Sequence, residues 1–419
     1  MENGAKTVVE LQDILSEKQL EHILSKTAKL GAKIVGYDLK SASEGIAGFL
    51  GDHLRLTLYV KEDSVKKIHL FIKTLPMNNQ PKVDMIMENN FYTREALLYQ
   101  LFDDIDDAED SNPWRPKAYI YSDKMLVMPD LSVEGYKSFP VAEYFDTDHI
   151  MITATSVARF HAAFANYATK RTINENKPYN FLEEYGHLMK SSIFVDLQWS
   201  RVTGKVSSDL LKEFSTNIKN YPADLAERFA KLCQKANMSL KEYDNTLNVI
   251  VHKDLWFNNI LLRYDSGNKP TNAILLDYQC MQYGPPAFDI MLLIHLTTTR
   301  SYRERHESEV LRRYYTVFSE SVDDDTKQRL AALNYDFDHF LVWCEKARMF
   351  AMLYTAFLFP YILMDPLQAQ KTFDDPETFQ DLLLVDRSPP VIEHAKVNDV
   401  YRNKQLDINE EIFEKYILG

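Results

Sequence analysis

Cysteine is scarce in this sequence. The only three are Cys233, Cys280 and Cys344, and no two of them form a C-x-x-C pair. A disulfide framework or a zinc–thiolate site needs several closely spaced cysteines, so this composition disfavours both. A reducing compartment is the simpler interpretation of so few thiols.

Long apolar runs are also missing. Residues 1–17 carry charges throughout and contain no continuous apolar core of the kind that a secretory signal needs. The uncharged stretch 349–364 is shorter than the roughly 18 residues expected of a membrane span, and Pro360 interrupts it. We therefore expect a cytoplasmic protein that does not act at a membrane.

Positive charge is in deficit, with 48 lysines and arginines against 61 acidic residues and a net charge of -13. An acidic chain repels phosphate backbones and anionic lipids, so we expect no nucleic-acid or membrane partner, although a local basic pocket is compatible with this balance. No obligate protein partner is evident. Apolar residues are abundant at 45%, and the 419 residues are enough for two or three domains or lobes.

Apolar periodicity divides the chain into a mixed part and a mainly helical part. The first part contains predicted helices over 11–30 and 83–102 and predicted strands over 32–39, 53–60, 67–74 and 124–128. The second contains predicted helices over 151–169, 180–201, 207–219 and 225–236 and predicted strands over 247–251, 260–263 and 273–276. We predict an α+β fold with two lobes: a small antiparallel-sheet lobe over residues 1–130 and a large, mainly helical lobe over residues 131–419.

Three oxygen-bearing side chains follow short apolar segments of the second part. Asp254 and Asn259, within H-K-D-L-W-F-N-N at 252–259, match the spacing of a phosphotransferase catalytic loop, and Asp277 directly follows the strand 273–276. Phosphoryl transfer needs a carboxylate that orients the attacking hydroxyl, and oxygen ligands for Mg²⁺. We predict Asp254 as the base or positioning group, Asn259 and Asp277 as metal ligands, and His252 as a brace of the loop.

A lysine and a glutamate of the first part form a predicted ion pair. Lys73 ends an apolar strand on the same face as Phe71, where a buried ammonium needs an anionic partner. Glu95 lies within the apolar stripe of the helix 83–102. Their pairing would direct the ammonium at ATP phosphates. Two alternatives remain open: a lysine that reaches water at the sheet edge, and a helix frame that leaves Glu95 solvated beside Arg94.

Two weaker features complete the predicted nucleotide site. Glycines at 45–51, including Gly48, could let backbone amides approach phosphate, although an ordinary hairpin turn fits this spacing equally well. M-P-D-L at 128–131 fits a hinge between lobes, where the Pro129 carbonyl accepts and the Leu131 N–H donates one hydrogen bond to adenine. We predict ATP and Mg²⁺ as cofactors.

In their order and combination these segments resemble the CHK kinase-like group of the protein-kinase superfamily, related to choline kinases and aminoglycoside phosphotransferases, and in particular its insect ecdysteroid kinase-like branch. The resemblance covers roughly residues 40–380 and rests on the segments 48–56, 70–76, 91–99, 126–136, 252–259, 276–279 and 286–289. It implies a two-lobed protein-kinase-like fold and a kinase that phosphorylates a small-molecule alcohol, such as an ecdysteroid or another hydroxylated apolar compound. It also implies that Asp289 holds the catalytic loop.

Two positions depart from the family pattern, which usually has glycine where Lys253 stands and an acidic residue where Pro129 stands. The short distance from Asp277 to Y-G-P-P at 283–286 leaves no room for the activation segment of a protein kinase, which favours a small-molecule acceptor. Aromatic residues of the segment 169–243, among them Trp199, suit either an acceptor pocket or a plain core.

Two other functions remain open at this point. A metal-dependent hydrolase could use His252, Asp254 and Asp277, but it would have no role for a Lys73–Glu95 pair and would need more histidine ligands. A pseudokinase would bind a nucleotide or a small ligand without turnover, and the departures at Lys253 and Pro129 keep that reading open.

Overall fold

Strands that contain Val, Ile, Leu and aromatic residues form a five-stranded antiparallel sheet near the N-terminus, in the order β1-β2-β3-β5-β4. The computed structural model describes residues 10–42, 50–105, 112–189 and 197–418. The strands are β1 Lys33–Ser41, β2 Asp52–Lys61, β3 Val65–Thr74, β4 Ile120–Tyr121 and β5 Met125–Pro129. Two short helices, α1 Leu11–Ile14 and α2 Glu17–Thr27, cover one face of this sheet.

The alternation of side chains along β3 decides which residues reach the other face. Ile68, Leu70 and Ile72 are buried in the cluster shared with α1 and α2. Phe71 and Lys73 point the opposite way and line a cleft. Lys73 pairs across the sheet with His53 of β2 and with Leu126 of β5, which places it in the middle of the sheet.

The single helix predicted over 83–102 was wrong, because the structure has two helices there: α3 Gln80–Glu88 and α4 Phe91–Asp104. Asn90 between them adopts the left-handed conformation, with φ 54°. Asparagine is one of the few side chains that tolerate this conformation. The amide of Asn89 donates a hydrogen bond to the Met85 carbonyl at 2.8 Å and closes the first helix. The Asn89–Asn90 pair therefore interrupts the helix, although the apolar periodicity of the sequence continues across it.

The second part of the chain is dominated by helices. The helices are α5 Thr147–Glu175, α6 Phe181–Met189, α7 Leu197–Phe214, α8 Leu225–Asn237, α9 Ala287–Thr297, α10 Arg300–Ser321, α11 Asp324–Ala332, α12 Phe337–Ile362, α13 Pro366–Phe373, α14 Phe379–Leu384, α15 Ser388–Val397 and α16 Asp399–Ile412. A π-helical turn, Phe413–Leu418, follows. Taken singly, no described helix is both long and apolar enough to cross a membrane; α12 and α13, bent by 92° to each other, satisfy the test as a pair by length and composition only.

The predicted gap between helices 180–201 and 207–219 is also wrong, because α7 runs unbroken through it. Gly204 in this gap serves packing and does not end the helix. A Cβ at this position would lie 2.3 Å from the Ala226 carbonyl oxygen of the adjacent α8 region. A glycine is needed here because the two helices approach closely.

Two small antiparallel sheets carry the segments predicted to be catalytic. The first contains β6 Tyr136–Ser138, β8 Ile260–Tyr264 and β9 Pro270–Leu275, and the second pairs β7 Val249–Val251 with β10 Gln282–Gly284. The segment 252–259 therefore runs from β7 to β8, and Asp277 follows β9. The predicted α+β fold with a small antiparallel sheet and a large helical part is confirmed, whereas the division at residue 130 stays a prediction.

Candidate active site

Asp289, in the first turn of α9, holds the start of the loop 252–259. Its buried carboxylate accepts hydrogen bonds from the backbone N–H groups of His252 and Lys253, the latter at 2.8 Å. His161 of α5 contacts the same carboxylate through Nε2 at 3.0 Å. This arrangement is the one that the family resemblance implied for Asp289. His161 was missed, because its position on a buried helix face is equally typical of a core histidine.

Lys253 adopts the left-handed conformation, with φ 65°. For a residue with a Cβ this conformation costs roughly 1–2 kcal/mol, whereas glycine adopts it freely. This backbone requirement explains why glycine is usual at the position. The Lys253 side chain is buried, with Nζ 5.4 Å from the centre of the Tyr354 ring, and burial lowers its pKa to about 8.

His252 connects the two halves of the predicted catalytic centre. Its Nδ1 accepts a hydrogen bond from the Asp254 N–H at 3.2 Å, so its Nε2 carries the proton donated to the Leu276 carbonyl at 2.8 Å. Burial lowers the pKa of His252, which keeps the ring neutral in this tautomer. The ring therefore ties Asp254 to the segment that leads into Asp277, as expected for a brace.

Asp254 and Asn259 are in direct contact. The amide nitrogen of Asn259 donates to the Asp254 carboxylate at 2.8 Å and to the Asp254 carbonyl at 2.9 Å. With its nitrogen engaged, Asn259 has its oxygen left for a metal ion. Burial, and then the charge of Asp277, raise the pKa of Asp254 to about 8. A carboxyl with such a pKa can exchange a proton near neutral pH.

Lys73 and Glu95 form the predicted pair. Lys73 Nζ lies 2.8 Å from Glu95 Oε2 and 2.6 Å from Asp277 Oδ1. Lys73 and Glu95 are only 5% and 2% exposed, which excludes both a lysine reaching water and a solvated glutamate. Burial by itself lowers the pKa of Lys73, but Asp277 and Glu95 outweigh it and raise the pKa overall, so the ammonium stays charged.

Glu95 also reaches the backbone beyond Asp277, since its Oε1 accepts a hydrogen bond from the Tyr278 N–H at 3.1 Å. Asp277 itself adopts the left-handed conformation, with φ 64°. One glutamate of α4 therefore positions both the lysine of β3 and the turn that follows β9.

Gln279 is a site residue that was missed, although it lies in the segment 276–279 that carries part of the family resemblance. Its amide oxygen accepts from Lys73 Nζ at 3.2 Å, and its amide nitrogen donates to Asp277 Oδ2 at 3.3 Å. A side-chain amide has a donor and an acceptor on separate atoms, so Gln279 can contact both groups at once. The sequence shows only that Gln279 lies two residues after Asp277. This spacing indicates a site residue only once Lys73 is known to lie beside both side chains.

These side chains line one cleft with an empty volume of about 1310 Å³, including open solvent. Its sheet side contains His53, Phe71, Lys73 and Met128, and its floor contains Asp254, Asn259 and Asp277. We call its opposite side the helical wall, which consists of Trp199 from α7 and of Tyr354, Phe357, Leu358, Tyr361 and Ile362 from α12. The helical wall is apolar and aromatic, so this side of the cleft suits an apolar ligand.

Three further residues were predicted for the nucleotide site: Gly48, Pro129 and Leu131. Gly48 lies outside the described residues. Pro129 ends β5, and the side chain of Leu131 packs in a small cluster with Tyr136 and Ile274. Neither is among the described residues that line the cleft. The hinge prediction concerns their backbone groups, so it stays a prediction.

Asn259 and Asp277 are suitable ligands for Mg²⁺, because they offer an amide oxygen and a carboxylate on the floor of one cleft. Across the part of the chain that the structure describes, no group of three or more His, Cys, Asp or Glu side chains could hold a metal ion. The amide oxygen of Asn259 is a ligand of another type, which hard cations also accept.

A small antiparallel sheet with a buried lysine–glutamate pair faces a helical part that carries an Asp–Asn loop and a following aspartate. This combination defines a kinase-like protein. The model of the Ecdysteroid kinase-like family matches residues 46–324, which is more than half of the chain. The chain belongs to that family.

Solved structures also resemble the chain. A choline/ethanolamine kinase family protein from Mesorhizobium loti is 11% identical, with a TM-score of 0.35 over 93% of this chain and 99% of that one. A microcompartment-associated aminopropanol kinase is 12% identical, with a TM-score of 0.33 over 84% of this chain and 100% of that one. No curated protein matches.

Proposed function

We propose that this protein transfers the γ-phosphoryl group of ATP to a hydroxyl of a small, largely apolar molecule, such as an ecdysteroid or another hydroxylated compound. One observation carries the proposal: Lys73 of the sheet meets Asp277 of the helical part at 2.6 Å, in the cleft that also holds Asp254. Membership of a kinase-like family supports it.

In this proposal the charged groups act on opposite ends of the transferred phosphoryl group. The Lys73 ammonium, held by Glu95, binds phosphate oxygens of ATP. Asp254, held by the Asn259 amide, orients the acceptor hydroxyl and accepts its proton as the new P–O bond forms and ADP leaves. Gln279 holds the side chains of Lys73 and Asp277 in place through a hydrogen bond to each.

The deciding experiment measures ADP release with ATP, Mg²⁺ and a panel of ecdysteroids, choline, ethanolamine and phenolic glycosides. We expect ADP release that depends on a hydroxylated acceptor, together with a phosphorylated product. Turnover without ATP would support a hydrolase instead. Nucleotide binding with no ADP release above the background of Asp254→Asn, on any acceptor, would support a pseudokinase.

Removal of magnesium is expected to stop ADP release, since the bound ion would neutralise phosphate charge during transfer. Excess EDTA should abolish activity, and added Mg²⁺ should restore it.

Asp277→Asn should raise the Mg²⁺ concentration needed for half-maximal activity by about tenfold or more, because one ligand charge is lost. Mg²⁺-dependent binding of a fluorescent ATP analogue gives a second readout. The exposed Asp381→Asn is the matched control, and an unchanged Mg²⁺ requirement in Asp277→Asn would refute the assignment of Asp277.

The acid limb of the pH profile is expected to report Asp254. Burial raises the pKa of this carboxyl to about 8, and only the ionised form accepts a proton. Below that pKa, kcat/KM should fall by about tenfold for each pH unit, since the ionised fraction falls by that factor. The measurement is kcat/KM at saturating ATP and Mg²⁺ from about pH 6 to pH 9. A flat profile over this range would show that Asp254 does not accept the proton in the rate-determining step.

A further inference from the structure

A fully buried arginine lies directly behind the helical wall of the cleft. Arg387, the residue before α15, is 0% exposed. Its Nη1 donates to the Tyr361 hydroxyl, and its Nη2 donates to Thr203 Oγ1 at 2.8 Å. Its guanidinium carbon lies 4.7 Å from the centre of the Tyr361 ring, 5.3 Å from that of Phe357 and 6.0 Å from that of Trp199.

Within the described parts of the chain, Arg387 forms no ion pair with a carboxylate. Both of its hydrogen bonds go to neutral hydroxyls, and Nε has no hydrogen-bond partner. Burial accordingly lowers the pKa of Arg387. A buried charge is costly unless it is paired, and an arginine stays protonated even so. The molecule therefore keeps an uncompensated positive charge at this place.

The three rings that contact Arg387 are the same rings that face the cleft. Trp199, Phe357 and Tyr361 all belong to the helical wall, and no residue of that wall carries a formal charge. One layer of apolar rings therefore separates the guanidinium from a ligand in the cleft. An apolar layer screens charge poorly, so the field of Arg387 reaches the ligand.

The position of Arg387 also changes what the aromatic wall can bind. Aromatic faces ordinarily attract ammonium groups, and Trp and Tyr do so most strongly. Here a guanidinium already contacts these rings from behind. A second cation on the cleft side of the rings would be repelled by it.

We infer that Arg387 is a specificity-determining residue that makes the acceptor pocket select neutral or anionic alcohols and exclude cationic ones. The inference rests on the proposed function in that it takes the helical wall as the acceptor side of the cleft. A unit charge roughly 9 Å from the guanidinium, at an effective dielectric constant of about 20, would bind about 20-fold more weakly than its neutral isostere.

The test uses two alcohols of the same shape: 4-tert-butylbenzyl alcohol, which is neutral, and its trimethylammonium isostere, which is cationic. Their dissociation constants are measured by calorimetry without nucleotide, so the readout does not depend on turnover. We expect the neutral alcohol to bind wild type at least about tenfold more tightly than the cation. In Arg387→Met the ratio of the two dissociation constants should fall by about tenfold, and in Arg387→Lys it should be retained.

Arg312→Met is the matched control. Arg312 is an exposed arginine of α10, and its guanidinium carbon lies 3.9 Å from the centre of the Phe337 ring of α12. Arg312→Met should leave the ratio of the two dissociation constants unchanged.

Three results would each overturn the inference: equal binding of the two alcohols by wild type, failure of wild type to bind the neutral alcohol, or an unchanged ratio in Arg387→Met. If Arg387→Met does not fold, Arg387→Gln replaces it, because glutamine removes the charge but keeps an amide donor for the Tyr361 and Thr203 hydroxyls. ADP release tests the proposed function separately, so charge selectivity without turnover would count against the kinase and not against Arg387.

Discussion

Asp254→Asn is expected to lower kcat for ADP release by about 10²–10⁴-fold, the usual contribution of a positioned general base. The asparagine has the same shape and can still accept the hydrogen bond from the Asn259 amide, which in wild type is 2.8 Å long. It cannot accept a proton. The KM for ATP should change little, because Lys73 and Asp277 are retained.

The same variant is expected to be more stable than wild type in mildly alkaline solution. An aspartate in the unfolded chain has a pKa of about 3.9. Asp254 in the folded protein has its pKa raised to about 8. Between these values the folded state binds more protons than the unfolded state, so the free energy of unfolding falls as the pH rises. Asp254→Asn removes this pH-dependent loss. Its free energy of unfolding near pH 8 should therefore exceed that of wild type by a few kcal/mol, since each unit of pKa shift is worth about 1.4 kcal/mol.

Thermal or urea unfolding at several pH values checks that result, and the gain should shrink to nothing toward pH 4, where both states are protonated. Asp381→Asn, an exposed carboxylate on α14, is the control for a change of net charge. A variant that keeps ordinary turnover would remove Asp254 from the proposed chemistry. A variant that is less stable at every pH would show that the carboxylate is an ordinary structural ion.

Lys73→Met is expected to lower both the free energy of unfolding and the activity. It removes the ammonium that lies 2.8 Å from Glu95 and 2.6 Å from Asp277, and leaves two carboxylates close together with no cation between them. Breaking one partner of a buried ion pair typically costs about 3–5 kcal/mol. Loss of a phosphate-binding charge should also lower kcat/KM by about 10²-fold or more.

The double variant Lys73→Met/Glu95→Gln separates these two effects. It removes one of the stranded charges, so it should recover much of the unfolding free energy without recovering activity. Lys67→Met serves as the control, because Lys67 is an exposed lysine of the same strand whose Nζ lies 5.5 Å from the Tyr59 ring. A double variant that is less stable than Lys73→Met would show that the Glu95 charge is stabilised mainly by groups other than the lysine, such as the Tyr278 N–H.

The parts of the site that the sequence predicted are those governed by short-range rules. Asp254 and Asn259 are five residues apart, and their contact follows from one turn of the loop. Lys73 and Glu95 could be placed because period two and helical period put both on apolar faces, where an isolated charge needs a partner.

The residues that were missed have partners far away in the chain. Gln279 accepts from a lysine 206 residues earlier, and His161 contacts an aspartate 128 residues later. The Arg387–Thr203 hydrogen bond spans 184 residues. No local pattern marks such a residue, because its role depends on which other segment packs against it. The break at Asn90 was missed for a different reason, since apolar periodicity continues across it.

The sequence by itself determined which faces of the strands and helices are buried, and which charged residues those faces carry. Backbone sterics and the burial of apolar side chains act over a few residues, so they leave a readable periodicity. Only the tertiary structure decided that Lys73 meets Asp277 across 204 residues, and that Arg387 lies behind the aromatic side of the cleft. These contacts depend on how the sheet and the helices pack together, because the strength of a charge interaction is set by distance and by exclusion of water, neither of which is local in the chain.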